Sequence, residues 1–188
     1  MPEQTYYTMT IAGLKRRLPI CRATDDLYIA AFVIFGDAPL TVACADALLA
    51  KAPEYDYLMT AEAKGIPLAH EMAQQRGDDN YFIARKMPKL YMTKGFEARV
   101  KSITTQQEQR LYLDQVDADA IKGRRILLVD DVVSTGESMA AIEQLVHLAG
   151  GIVAGKMCIL AEGDAVKRDD LIYLEPLPLF TPDGSVKG

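Results

Sequence analysis

The chain has no Cys-x-x-Cys pair, no basic excess, no internal repeat and no low-complexity tract. No apolar run approaches the ~20 residues that a membrane helix needs. Its three cysteines, Cys21, Cys44 and Cys158, are odd in number and widely spaced. They are expected to be reduced and structural, as in a cytoplasmic protein. The opening residues, Met1 to Tyr7, are polar and lack a signal-peptide core, so no membrane or secretory role is expected. A net charge of −5 argues against a general nucleic-acid binder, which would show a basic surplus. His70 and His147 fall on expected helices without a carboxylate partner at motif spacing and read as structural. What remains is the composition of an ordinary globular protein, 49% hydrophobic and 25% charged over 188 residues. That is most simply one domain with room for a sizeable core.

Hydrophobic spacing divides the chain into alternating units. Met9 to Arg17 reads as a short amphipathic helix stopped by Pro19, and Asp26 to Phe35 as a strand running into the turn Gly36-Asp37-Ala38-Pro39. Leu40 to Lys51 is helical, ended by Pro53. Asp56 to Thr60 is a short strand, Pro67 to Gln75 a helix, and Asn80 to Ala84 again a strand. Ile126 to Val129 and Ile152 to Leu160 add two more strands, with a helix from Met139 to Leu148 between them. Strand–loop–helix repetition of this kind implies a mostly parallel sheet covered on both faces.

The segment Ile126 to Ser138 is the most informative. A buried strand should end at Asp130 and Asp131. A loop of hydroxyls and glycine follows (Ser134, Thr135, Gly136, Glu137, Ser138) and opens the next helix. Free amides at a helix start can hold a phosphate, and the hydroxyls add donors. The carboxylates can accept from sugar hydroxyls or hold a divalent cation. Together they suit a sugar phosphate. Glu137 also lies where the helix dipole favours an acid. Residues 86–123 break the alternation: Lys86, Lys89, Lys94, Arg99 and Lys101 are interleaved with Pro88 and Gly95. Strands at about Glu97–Thr104 and Arg110–Asp114 are expected to form a hairpin around Thr105-Gln106-Gln107. A solvated ribbon and a mobile basic loop closing on a polyanion both fit the spacing; the acid–hydroxyl loop favours the second.

Val129-Asp130-Asp131-Val132-Val133-Ser134-Thr135-Gly136-Glu137-Ser138 resembles the signature by which type I phosphoribosyltransferases bind 5-phosphoribosyl-1-diphosphate (PRPP). Glu62-Ala63-Lys64-Gly65 resembles the pyrophosphate loop of the adenine enzymes, and Arg85-Lys86-Met87-Pro88-Lys89-Leu90 the start of their catalytic loop. Leu14-Lys15-Arg16-Arg17 and Ser102-Ile103-Thr104-Thr105-Gln106 are similar to the xanthine branch. The resemblance implies a type I phosphoribosyltransferase-like α/β fold, with a mostly parallel twisted sheet flanked by helices. A base-binding hood would come from about 1–40 and 161–188, a PRPP-binding core from about 41–160, and the mobile loop and hairpin from about 86–115.

The resemblance also implies roles. Asp130, Asp131 and Lys86 would be catalytic, and Ser134 to Ser138 would cradle the 5′-phosphate. Ala63, Lys64, Gly65, Arg85, Lys86 and Lys89 would meet the pyrophosphate, and Asp130 and Asp131 would hold Mg²⁺. The partners would be PRPP, a free nucleobase and a second copy of the chain in a homodimer. Phe35 is the candidate ring to stack on the base, with a buried core Phe as the other reading. Gln106 stands where adenine enzymes carry an acid, and Ile34 and Gly163 where the xanthine branch has asparagine and lysine. Adenine is the preferred base, with xanthine or another base, or a non-catalytic PRPP-sensing regulator, as alternatives.

Overall fold

The computed structural model describes residues 5–92, 95–101 and 108–187. Five parallel strands form the central sheet: β4 (Tyr57–Ala61), β5 (Tyr81–Ala84), β8 (Arg125–Val133), β9 (Ile152–Glu162) and β10 (Ile172–Leu177), in the spatial order β10-β9-β8-β4-β5. Helices α1 (Ala38–Leu49) and α2 (Gly65–Arg76) pack on one face; α3 (Gln115–Ile121) and α4 (Glu137–Leu148) cover the other. Ile126 through Val129 are all fully buried because β8 is central and serves both layers. Leu127 and Val129 join Leu40, Leu48, Leu68 and Met72, whereas Ile126 and Leu128 meet Ile142, Leu145 and Val146. Burying each such side chain contributes about 1.5–3 kcal/mol.

A second sheet, made of β1 (Tyr6–Ile11), β2 (Leu14–Arg22), β3 (Tyr28–Ala30) and the short returning β11 (Leu179–Phe180), is antiparallel throughout and shares the core of the α1–α2 face through Ile11, Leu18 and Phe180. This corrects the helix expected over Met9–Arg17. Tyr6 to Ile11 alternates between exposed and covered positions, and the two-residue Ala12-Gly13 turn has φ of 46° and 80°. Two consecutive positive φ values match the twist of a tight hairpin. The strand expected from Asp26 to Phe35 is regular only over Tyr28–Ala30; the rest runs on toward α1. Asp37 opens that helix by accepting from the Leu40 N–H at 3.2 Å, and Arg16 grips the same carboxylate through Nε at 2.5 Å. One aspartate thus caps a core helix and ties the second sheet to it.

β6 (Gly95–Lys101) and β7 (Glu108–Asp114) form the expected hairpin, with Gly95 opposite Asp114 and Lys101 opposite Glu108. Lys94 and the turn at Thr105-Gln106-Gln107 lie outside the described residues. β8 differs from expectation in one consequential respect. It continues through Asp130 and Asp131 to Val133, still paired with β9 at Asp130–Cys158 and Val133–Ala161. The two acids are therefore held in a strand, where backbone pairing fixes their directions. Sequence patterning gave no sign of α3, β10 or β11.

Candidate active site

The carboxyl ends of β4, β5, β8 and β9 lie side by side, and in a parallel sheet this edge is where ligands bind. β4 ends at Ala61 and delivers Glu62-Ala63-Lys64 into Gly65, the first residue of α2; the Glu62–Ala63 peptide is cis. A methyl group on Gly65 would overlap Thr60 Oγ1 and lie 3.1 Å from Asp130 Oδ1. Glycine is needed here because Thr60 at the end of β4 fills the space a side chain would take, with the Asp130 carboxyl of β8 close beside it. Lys64 and Ala63 are exposed, and the charge of Lys64 acts on both Asp130 and Asp131.

After β8 the loop Ser134-Thr135-Gly136 turns sharply. Gly136 has φ of 80° and sits at the start of α4, which no side chain caps. The first turn of that helix, with the flanking hydroxyls of Ser134, Thr135 and Ser138, lines a cavity of about 130 Å³ that Asp130 also borders. Glu137 occupies the first turn of the helix. Beside this lies a larger cleft of about 710 Å³. Ser134, Thr135, Glu162 and Arg168 form its polar side, and Ile29 and Leu179 of the second sheet, with Leu27 just before β3, contribute the apolar side. Phe35 is half exposed and is not part of that lining. The buried core ring nearby in sequence is Phe32, at 4% exposure.

The basic loop after β5 is organised by Glu62. Its Oε2 accepts from the Lys86 N–H at 3.0 Å. Its Oε1 pairs with Arg85 at 3.6 Å and with Lys89 at 3.4 Å. The Lys86 N–H, then Lys89 and Arg85, hold the Glu62 carboxyl below its usual range. Arg85 also exchanges two backbone hydrogen bonds of 2.8 Å with Tyr112, which ties this loop to the hairpin. The side chain of Lys86 is exposed, and its backbone makes the contact with Glu62.

Burial pushes Asp130 up to about 7, and the neighbouring charge of Asp131 adds to it. Burial also raises Asp131, with Lys64 opposing. The Asp131 N–H donates to Asp130 Oδ1 at 2.9 Å. Asp131 Oδ2, by contrast, is buried with no hydrogen-bond partner among the described residues. A group with that profile is suited to a ligand that brings positive charge or a donor. Glu162 is raised by burial too, offset by Ser134 and Lys64. The unfolded chain releases the Asp130 proton near 3.8, whereas the folded chain holds it to about 7. The protonated state is favoured by folding, so this contribution is present at low pH and is lost as pH rises through 7. Urea unfolding at pH 5 and pH 8 should show stability lower at pH 8 by at least about 1 kcal/mol, a difference that Asp130→Asn reduces, with Asp131 and Glu162 retaining the remainder.

Sequence reasoning placed Asp130, Asp131, Ser134 to Ser138, Ala63 to Gly65, Arg85 and Lys89 at this edge, and the fold brings them together. It missed Thr60, Glu162 and Arg168, which belong to no spaced motif. An acid pair and a loop opening a helix at the carboxyl edge of a parallel sheet form a place suited to a charged ligand. Residues 36–175 match the phosphoribosyl transferase domain model, and the chain belongs to that family. Its fold is the type I phosphoribosyltransferase fold, built on a central parallel sheet flanked by helices.

Among relatives, the chain is 38% identical to the hypoxanthine/guanine phosphoribosyltransferase of Methanotorris igneus, over 60% of this chain and 57% of that protein. It is 32% identical to the enzyme of the same name from Methanosarcina mazei, over 71% of this chain and 66% of that protein. The match thus spans little more than half the length of the first of these. Among solved structures, the adenine phosphoribosyltransferase of Rhodothermus marinus superposes with a TM-score of 0.64 at 21% identity, covering 92% of this chain and 94% of that one. The adenine enzyme of Saccharomyces cerevisiae gives 0.64 at 20% identity, covering 90% and 93%.

Proposed function

We propose that this protein transfers the 5-phosphoribosyl group of PRPP to a free purine base, releasing pyrophosphate and forming a nucleoside monophosphate for nucleotide salvage. The observation that carries the reading is the closure of Gly65 onto Asp130, which puts the loop for a pyrophosphate against the acids for a ribose. In this reading a ring nitrogen of the base attacks C1′ as the bond to the pyrophosphate oxygen breaks, and positive charge develops on the sugar. Asp130 and Asp131 hold the ribose hydroxyls and offset that charge. The amides and hydroxyls of Ser134 to Ser138 hold the 5′-phosphate. The backbone of Ala63, Lys64 and Gly65, with Arg85, Lys86 and Lys89, receives the departing pyrophosphate. Fixing the donor at both ends leaves C1′ exposed to a base in the adjoining cleft, which is catalysis by positioning.

Mg²⁺ fits the same residues. Asp131 Oδ2 is buried without a partner, and among the described residues no cluster of three or more His, Cys, Asp or Glu gathers. Asp130 and Asp131 would hold the ion, with PRPP oxygens and water completing its shell, as Mg²⁺ prefers. Bound there, it supplies charge to neutralise the leaving group. A homodimer and a cytoplasmic setting belong to the same proposal. The three cysteines are free, and among the described residues no helix is long and apolar enough to cross a membrane.

The relatives named hypoxanthine/guanine phosphoribosyltransferases support a purine acceptor, and the fold is shared with adenine phosphoribosyltransferases. The test is incubation with PRPP, Mg²⁺ and adenine, guanine, hypoxanthine or xanthine in turn. Turnover of at least one is expected. PRPP binding without any turnover would instead favour a sensor that keeps the fold and not the reaction.

A further inference from the structure

The phosphate loop has a charge problem that its own sequence does not solve. Residues 130–138 contain Asp130, Asp131 and Glu137 and no cation, yet the proposed ligand brings a phosphate dianion. The fold supplies a cation from a distant segment. Arg168, beyond β9, lays its guanidinium on the α-carbon of Gly136: a methyl group there would overlap Nη1 and stand 3.3 Å from Cζ. The positive φ of Gly136 favours glycine at the position, and the flexible guanidinium would have to shift for any side chain placed there.

The guanidinium is held in place. Its Nε and Nη2 donate to the two oxygens of Asp170 at 3.0 and 2.9 Å. Asp170 also accepts from Lys156 Nζ at 2.8 Å, and Lys156 pairs with Glu143 of α4 at 2.9 Å. The arginine is thereby braced against the helix that the phosphate loop opens. Nη1, the nitrogen against the loop, has no hydrogen-bond partner among the described residues. Arg168 lines the larger cleft together with Ser134 and Thr135. Lys156 is itself largely covered, its side chain 12% exposed, and it couples Asp170 to Glu143 of α4.

We propose that Arg168, oriented by Asp170, is a positioning residue for the 5′-phosphate: it fixes the Gly136 turn and supplies the positive charge the loop lacks. The inference rests on the phosphoribosyl-transfer reading and adds a residue that selects for the phosphorylated end of the donor.

The test compares the wild type with Arg168→Gln, Arg168→Lys and Asp170→Asn, using ribose 5-phosphate and pyrophosphate as separate competing ligands. Arg168→Gln should raise KM for PRPP and weaken ribose 5-phosphate by about tenfold or more, since a charge-assisted contact is lost. At saturating PRPP, kcat should stay within about threefold. Pyrophosphate affinity should hold, because its site lies across the ribose. Lysine should recover part of the loss, and Asp170→Asn, which keeps the charge but frees it, should fall between. Equal weakening of both ligands, or an unchanged KM for PRPP, overturns the proposal. If Arg168→Gln does not fold, the lysine and Asp170 variants decide it by the same criterion. Absence of turnover in the wild type with every purine would defeat the parent reading; ribose 5-phosphate binding, measured calorimetrically, would still judge Arg168.

Discussion

Asp130→Asn with Asp131→Asn should lower kcat by about 10³-fold or more while the protein stays folded. The two carboxylates are the groups best placed to offset positive charge on a ribose. Their cost to the free protein is visible, since burial and mutual repulsion push Asp130 up to about 7. Amide side chains keep the shape and remove that repulsion. The double variant should therefore unfold at no lower a temperature than the wild type at pH 8. Circular dichroism melting beside steady-state kinetics separates the two effects. Retained turnover would remove both residues from the chemistry.

The second large effect is expected at Gly65. Alanine there would drive a methyl group into Thr60 Oγ1 and against Asp130 Oδ1 at 3.1 Å. Thr60 is fully buried and β-branched, so it has little freedom to turn away. Overpacking of this kind costs about 1–3 kcal/mol. The greater consequence is displacement of the loop from the acids, for which a shift near 1 Å can cost about 10²-fold in rate. Adding Thr60→Ala opens space for the methyl group. A double-mutant cycle should then show a favourable coupling of about 1 kcal/mol or more between residues 60 and 65. Additive losses would mean that Gly65 matters for some reason other than this contact.

These predictions concern the part of the molecule that was most legible. The acid pair, the hydroxyl loop and the glycine of the loop after β4 are local patterns, and local patterns survive in one dimension. The central strands were readable for a similar reason: Ile126 to Val129 is a continuous apolar run because β8 is covered on both faces. The hairpin of β1 and β2 was not. Lys15, Arg16 and Arg17 disguise its period-two alternation, and the deciding feature is the pair of positive φ values at Ala12-Gly13. The end of β8 was misplaced because a strand's length is set by its neighbour. β9 runs to Glu162 and carries β8 past the acids. Glu162 and Arg168 reach the site only through tertiary folding, in a segment with no motif spacing. The segments lining the larger cleft are also those least marked by pattern, so the donor half of the site was far clearer than the acceptor half.

In the proposed reaction one edge of the sheet binds both ends of PRPP so that a purine can take the sugar. Simultaneous measurement of pyrophosphate and nucleotide, with PRPP, Mg²⁺ and each of the four purines, tests it most directly. The two products should appear in equal amounts with at least one base, and both should vanish in the Asp130→Asn, Asp131→Asn protein. No nucleotide with any purine, or nucleotide formed without matching pyrophosphate, would contradict it.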